Sequence, residues 1–199
     1  NWTAPQEVAA EVREWFESGA EVIDLGPIEL SVAERGDAAL LELTSRFDAP
    51  DSTNLELLVP EDEARAALDR LAPDVREALQ MAIANVRLVA EVQIAEERTV
   101  ELPQGQRVTV GQTPVAAAGI YAPGGRASYP SSVVMGCVPA RVAGVGRLVL
   151  VSPPGPDGRV DPTTLAAAVL CEVDEIYSVG GAQAIFALAR GTESIRPVD

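Results

Sequence analysis

The chain contains no histidine and no lysine, and only 4% of its 199 residues are aromatic. Without histidine, a nucleophilic serine has no imidazole base, and a metal site would have to rest on carboxylates or cysteines. There are two cysteines, Cys137 and Cys171, both in apolar helical surroundings. No CxxC or EF-hand spacing occurs, so these thiols read as small buried hydrophobes in a reducing compartment. No apolar run approaches the roughly 18 to 20 residues that span a bilayer, and the first residues lack the basic and apolar regions of a signal peptide. These features lead us to expect a cytoplasmic protein that does not engage membranes.

What the chain does have is acid. Its net charge is −15, from 30 acidic and 15 basic residues, and every basic residue is arginine. The charge is unevenly spread: residues 1–115 carry 23 acidic and 9 basic side chains, residues 116–199 only 7 and 6. An acidic surface repels phosphate backbones, which argues against nucleic acid as a partner. The 47% apolar content is ample for a packed core.

The two halves also differ in period. The first reads as mostly helical, with Val8, Val12, Trp15 and Phe16 on one face of a helix over Pro5–Glu17. A short extended piece follows at Val22–Leu25. Apolar spacing through Val32, Ala39, Leu40 and Leu43 predicts a helix over Ser31–Phe47, which Gly36-Asp37 either starts or interrupts. Leu55–Val59 reads as a short strand. A helix after Pro60 has acids in its first turn, where they suit the dipole. A long helix from Pro73 to about Ala95 shows a stripe of Val75, Leu79, Ile83, Val86, Leu88 and Val89. Thr99–Val110 alternates across a Pro-Gln-Gly-Gln turn and predicts a β-hairpin.

From Ala116 onward the order becomes strand (Ala117–Tyr121), helix (Pro130–Ala143), strand (Arg147–Ser152), helix (Pro162–Cys171), strand (Glu175–Val179) and helix (Ala182–Arg190). Alternation of this kind predicts a parallel sheet with right-handed crossovers. The fold class is therefore α/β. We place the division at residues 1–116, helix-rich and ending in the hairpin near 99–110, and 117–199.

Tyr121-Ala122-Pro123-Gly124-Gly125 falls at the carboxyl end of a strand, where ligands bind in open α/β sheets. A tight structural turn explains its glycines equally well. Ser128-Tyr129-Pro130-Ser131-Ser132 reads as a helix start with hydroxyls for capping. Gly180-Gly181-Ala182-Gln183 repeats the strand-to-helix turn, with Gln183 either facing a ligand or bonding a neighbouring loop. Neither glycine pair matches G-x-G-x-x-G. Glu61-Asp62-Glu63 reads as a solvated helix start.

In GIYAPGG, YPSSVVMGCVPARVAGV, DEIYSVGGAQAIFALARGTESI and the closing RPVD, the chain resembles the histidinol dehydrogenase family. Weaker likeness reaches upstream through ERGDAALLELTSRFD and ELPQGQRVTVGQTPV, so it covers nearly everything from Ala33 on. It departs at Gly136-Cys137, where the family more often carries an asparagine-containing pair, and at Ala122, a common valine. The resemblance implies an incomplete Rossmann-like domain over 117–199, with residues 1–116 as part of a second α/β domain. It also implies a zinc-binding homodimer that oxidises L-histidinol to L-histidine with two NAD molecules.

Tyr121 and Gln183 match family positions that contact NAD. The family's asparagine contact, zinc ligands, Glu-His acid/base pair and substrate contacts correspond to sequence beyond Asp199. The expectation is thus an N-terminal fragment that holds no catalytic or metal-binding residue and is inactive alone. Two other readings stay open at this point: a sister NAD-dependent dehydrogenase of another polar alcohol such as a sulfopropanediol, or a short non-catalytic binding or assembly module.

Overall fold

In the computed structural model of the chain, residues 5–19, 23–124 and 127–199 are described. The elements are α1 (Pro5–Gly19), α2 (Gly26–Arg35), α3 (Asp37–Phe47), α4 (Glu61–Arg70), α5 (Pro73–Glu91), β1 (Arg98–Glu101) and β2 (Arg107–Val110). They continue with β3 (Ala117–Tyr121), α6 (Pro130–Val142), β4 (Arg147–Ser152), α7 (Pro162–Leu170), β5 (Glu175–Ser178) and α8 (Gly181–Arg190). In the expected extended piece, Val22 lies outside the described residues and 23–25 form no strand. The side chains of Trp15 and Phe16 also lie outside them.

The apolar runs after Ala116 become a parallel three-stranded sheet in the order β3-β4-β5. Strand periodicity sends alternate side chains to opposite faces, so each strand feeds two cores. Leu148 and Leu150 of β4, with Ile120 and Ile176, meet Val133, Val134, Cys137 and Val138 of α6 and Leu165, Ala167 and Ala168 of α7. Val149 and Val151, with Tyr177 and Val179, meet Ala184, Ala187 and Leu188 of α8 on the other face. The middle strand is the best covered, with Leu148 through Ser152 all buried.

The acidic helices complete these layers. Helix α4 lies along α7 and α5 along α6, while α2 packs on α8. Ala64, Ala67 and Leu79 join the first core; Val32, Ala39, Leu40 and Leu57 join the second. Both cores therefore draw residues from either side of Ala116, where the composition changes.

Several local features differ from the sequence expectation. Ser31–Phe47 is two helices, broken at Gly36, whose φ of 51° and ψ of −128° suit a residue without Cβ. The carboxylate of Glu193 fills the space a Cβ would need and accepts from the amide of Asp37 at 2.8 Å, capping α3 from 156 residues away. Leu55–Val59 forms no full strand. It makes one antiparallel bridge, Leu58 to Tyr177, flanked by Val59 N–H to Ile176 O (2.8 Å) and Ser178 N–H to Leu57 O (2.7 Å). That covers the outer edge of β5.

On α5 the buried line runs through Leu79, Ile83, Val86 and Ala90. Leu88 and Val89 are exposed, since nine residues on from Leu79 is about half a turn out of phase at 3.6 residues per turn. On α1, Val8 and Val12 are also exposed. No serine side chain caps α6, which Tyr129 precedes. Ser128 instead donates to Asp161 (2.7 Å), and Asp161 caps α7 by accepting from the amides of Thr163 and Thr164. No helix among the described residues is long and apolar enough to cross a membrane.

Candidate cofactor site

Parallel pairing puts the carboxyl ends of all three strands on one edge of the sheet, with the loops after β3, β4 and β5 side by side. At this edge Tyr121 and Gln183 are brought together through Gly181. Tyr121 is odd in its strand and faces α8; its hydroxyl accepts a hydrogen bond from the Gly181 amide at 3.2 Å. Because that bond uses an oxygen lone pair, the phenolic hydrogen remains available to donate elsewhere.

Gly181 sits at φ +63°. This left-handed conformation turns the chain from β5 into α8 and folds the Gln183 side chain back over Gly181. A Cβ built on Gly181 would lie 2.5 Å from Gln183 Oε1 and 3.0 Å from its Nε2. A side chain at position 181 would displace the amide. Gln183 is only 2% exposed. Its side chain lies folded over Gly181, at the start of α8.

Close packing pins the surrounding loops. Pro153 occupies the space a Cβ on Gly180 would need, and a Cβ on Gly124 would lie 2.9 Å from Pro153 O and 3.0 Å from Ser152 Oγ. Three turns thus meet with backbone against backbone, and Tyr121 beside them stays 36% exposed. Gly125, the last residue of the first glycine pair, lies outside the described residues. The amides of the first turn of α8 add a positive end of the helix dipole, which favours an anionic group.

A cavity of about 290 Å³ opens at the same edge on the opposite face, between α4 and the start of α7. Arg70, Ser128, Arg159 and Asp161 line it, and neither Tyr121 nor Gln183 does. Asp161 already occupies the α7 amides there. At α8, by contrast, no N-cap side chain occupies the first-turn amides.

The cysteines take no part. Cys137 and Cys171 are free and buried under α6 and α7, and burial pushes each thiol up to about 12, far from the thiolate form. Among the described residues no group of three or more acidic, cysteine or histidine side chains is arranged to hold a metal.

A model of the histidinol dehydrogenase family matches residues 19–199. The chain belongs to the histidinol dehydrogenase family. It is 47% identical over 176 residues to the histidinol dehydrogenase of Zymomonas mobilis, covering 88% of this chain and 41% of that one. It is 48% identical over 168 residues to that of Ruegeria pomeroyi, covering 84% and 39%. Among solved structures, the histidinol dehydrogenase of Elizabethkingia anophelis superposes with a TM-score of 0.84 at 30% identity, over 94% of this chain and 45% of that one. The chain therefore spans about two-fifths of the length of the curated relatives it matches. Family membership makes it part of an oxidoreductase lineage and matches the α/β fold read from its residues.

The sequence left the part played by three members of this cluster unread. Gly181 was visible only as half of a turn, and Ser152-Pro153 carried no signal, since a buried serine ending a strand looks like any other. Their role comes from the packing of three loops far apart in sequence.

Proposed function

We propose that this chain supplies the NAD-holding edge of a histidinol dehydrogenase, with Tyr121 and Gln183 as cofactor contacts. One observation carries this reading: two side chains 62 positions apart converge on Gly181 at the start of α8, Tyr121 accepting from its amide and the buried Gln183 side chain folded over it. The residues suit the ligand. Tyr121 donates from its hydroxyl, Gln183 both donates and accepts, and the α8 amides face the negative charge of a diphosphate.

NAD, when bound, would take up hydride from the alcohol and then from the aldehyde of L-histidinol. The residues here hold and orient it; none is placed to move a proton at the substrate. Zinc belongs to the activity proposed for the whole enzyme, but the described residues do not form a site for it, and no step is assigned to it here. We propose cytoplasmic location and homodimeric assembly on the same family grounds.

The test is titration of the purified chain with NAD, followed by protein NMR or calorimetry. Binding that shifts the Gly181 and Gln183 resonances, and weakens about tenfold in Tyr121→Phe or Gln183→Ala, supports the reading, since each removes roughly one hydrogen bond to the ligand. Saturable binding unchanged in both variants would sink the assignment of these two contacts. The chain incubated with L-histidinol and NAD is expected to produce no NADH, and measurable turnover would contradict the division of labour proposed here.

A further inference from the structure

Strand β3 and helix α8 touch along a single line. Residues two apart on a strand share a face, and residues seven apart on a helix return to the same side after two turns. Gly119 and Tyr121 are such a pair on β3, and Gly181 and Leu188 on α8. At the carboxyl edge the Tyr121 hydroxyl accepts from the Gly181 amide at 3.2 Å. About 10 Å further along the helix, Leu188 lies over Gly119. The far end of α8 is tied down as well: Val198 N–H donates to Leu188 O at 2.9 Å, and Asp199 N–H donates to Ala117 O at 3.2 Å.

The contact at Gly119 has no slack. A Cβ built there would lie 2.8 Å and 3.0 Å from the two methyl carbons of Leu188 and 3.3 Å from its Cγ. Those methyls have little room to swing aside, because Leu188 is buried in the second core with Val149, Val151 and Ala184. The strand cannot retreat instead: on its other face a Cβ on Gly136 of α6 would lie 2.7 Å from Ile120 Cγ2. Carbon atoms pack best from about 3.5 Å, so a methyl at position 119 would push α8 outward by roughly half an ångström. The Gly181 bond cannot follow. At 3.2 Å it is already at the long end of N–H···O distances, and a small further separation breaks it. The first amides of a helix have no partner within it, which leaves the Tyr121 hydroxyl as the group that holds this one.

We propose that Gly119 is a positioning residue for the cofactor contacts: by carrying no side chain it sets the distance between β3 and α8 at which Tyr121 holds Gly181. The spacing stands on packing alone, and its consequence for the ligand rests on the cofactor reading. In dinucleotide-binding folds a glycine of the G-x-G-x-x-G fingerprint gives helix and strand a close approach of this kind. That fingerprint is absent here, and the approach is made from within the strand itself.

The experiment follows the Gly181 amide by NMR in the 199-residue chain, with Tyr121→Phe as the reference for a broken bond. Gly119→Ala is expected to move the Gly181 resonance to its Tyr121→Phe position and to speed its exchange by a similar factor, about tenfold. Adding Leu188→Val, which withdraws the methyls that a Cβ meets, should return both to the wild-type values. Leu165→Ala, in the core on the opposite face, should lower stability and leave the Gly181 resonance in place. A Gly181 signal unchanged in Gly119→Ala overturns the proposal, as does a change that Leu188→Val fails to reverse or that Leu165→Ala reproduces. Should Gly119→Ala not fold, recovery of fold and signal in the double variant supports the proposal, and an unfolded double variant overturns it. Titration with NAD separates the two readings. If the wild-type chain binds NAD, Gly119→Ala should bind about tenfold more weakly, and equal affinity overturns the positioning role. If the wild-type chain binds no NAD, the cofactor reading falls, and the amide comparison still decides the spacing.

Discussion

The chain contains two pieces of β-structure that differ in sequence pattern and share almost nothing in their physics. The strands of the central sheet, β3, β4 and β5, are short apolar-rich runs, whereas the hairpin of β1 and β2 alternates apolar with polar residues. In the sheet, β4 is buried from Leu148 to Ser152. In the hairpin every residue of both strands is exposed, Val100, Val108 and Val110 among them. The hairpin holds itself together with a regular antiparallel register from Arg98–Val110 to Glu101–Arg107 and a 2.9 Å hydrogen bond between Thr99 and Thr109. Alternation therefore predicts pairing, which is local. What a strand buries depends on elements elsewhere in the chain.

The sharpest test of this difference is truncation at the centre of the sheet. Leu150 is fully buried between β3, β5 and helices α6 and α7. Leu150→Ala should cost about 2–5 kcal/mol, the range for buried leucines whose cavity cannot collapse. A urea midpoint unchanged by this substitution would mean that the sheet is not the cooperative centre of the fold.

Next in size is the latch at the amino edge of the sheet. The Arg141 guanidinium donates to the carbonyls of Val145 (3.1 Å), Gly146 (3.2 Å) and Glu172, and to the Asp174 carboxylate at 2.6 Å. Asp174 also accepts from the Leu148 amide at 2.7 Å, so one ion pair ties α6, β4 and the end of α7 together. Arg141→Ala leaves this half-buried carboxylate without its cation and should cost roughly 2 kcal/mol. Arg141→Lys should recover only part of that, because an ammonium cannot reproduce the fork. Full recovery in denaturant unfolding would show that charge alone matters.

How much of this was legible depends on distance along the chain. The bounds of β3 and β4 came straight from apolar runs between glycine and proline breaks, because a parallel strand covered on both faces has no choice but to be apolar. Gly36-Asp37 could be read as the start of a helix or a break in one, and nothing local revealed that Glu193 would cap α3. The stripe on α5 was drawn too wide, because composition does not say which residues of an apolar-rich helix face α6. At the site, Tyr121 and Gln183 were visible as residues of interest. Their meeting at Gly181 depends on the crossover of α8 and could not be read from either turn alone.

A smaller effect separates the two regions by pH. Burial by itself would raise the pKa of Glu175, but hydrogen bonds from Arg196 (2.7 Å) and the Tyr177 hydroxyl (2.9 Å), with the charge of Arg147, outweigh it and hold the carboxyl below its ordinary value. A group with a depressed folded pKa stabilises the fold above its unfolded value, about 4.3 for glutamate, and loses that contribution as pH falls through the folded value. Glu175→Gln should therefore flatten the acid side of the stability profile below about pH 5. Urea midpoints measured from pH 7 down to pH 3 should show a shallower decline in the variant. An identical decline would place the acid sensitivity of the fold elsewhere.

The smallest expected effect falls on the hairpin. Val108 is 46% exposed, pairs with Val100, and touches no core. Val108→Thr keeps the β-branch that suits an extended strand and replaces a methyl that water already reaches, so the change should stay within about 0.5 kcal/mol. The same exchange at Val149, fully buried in β4, places a hydroxyl among apolar groups and should cost about 1–3 kcal/mol. Both are read from the same denaturation experiment on two single variants. If they cost the same, the hairpin is covered in solution by a surface that these 199 residues do not supply. Its exposed valines would then belong to an interface, and the contrast between the two β-regions would be one of timing in assembly instead of burial.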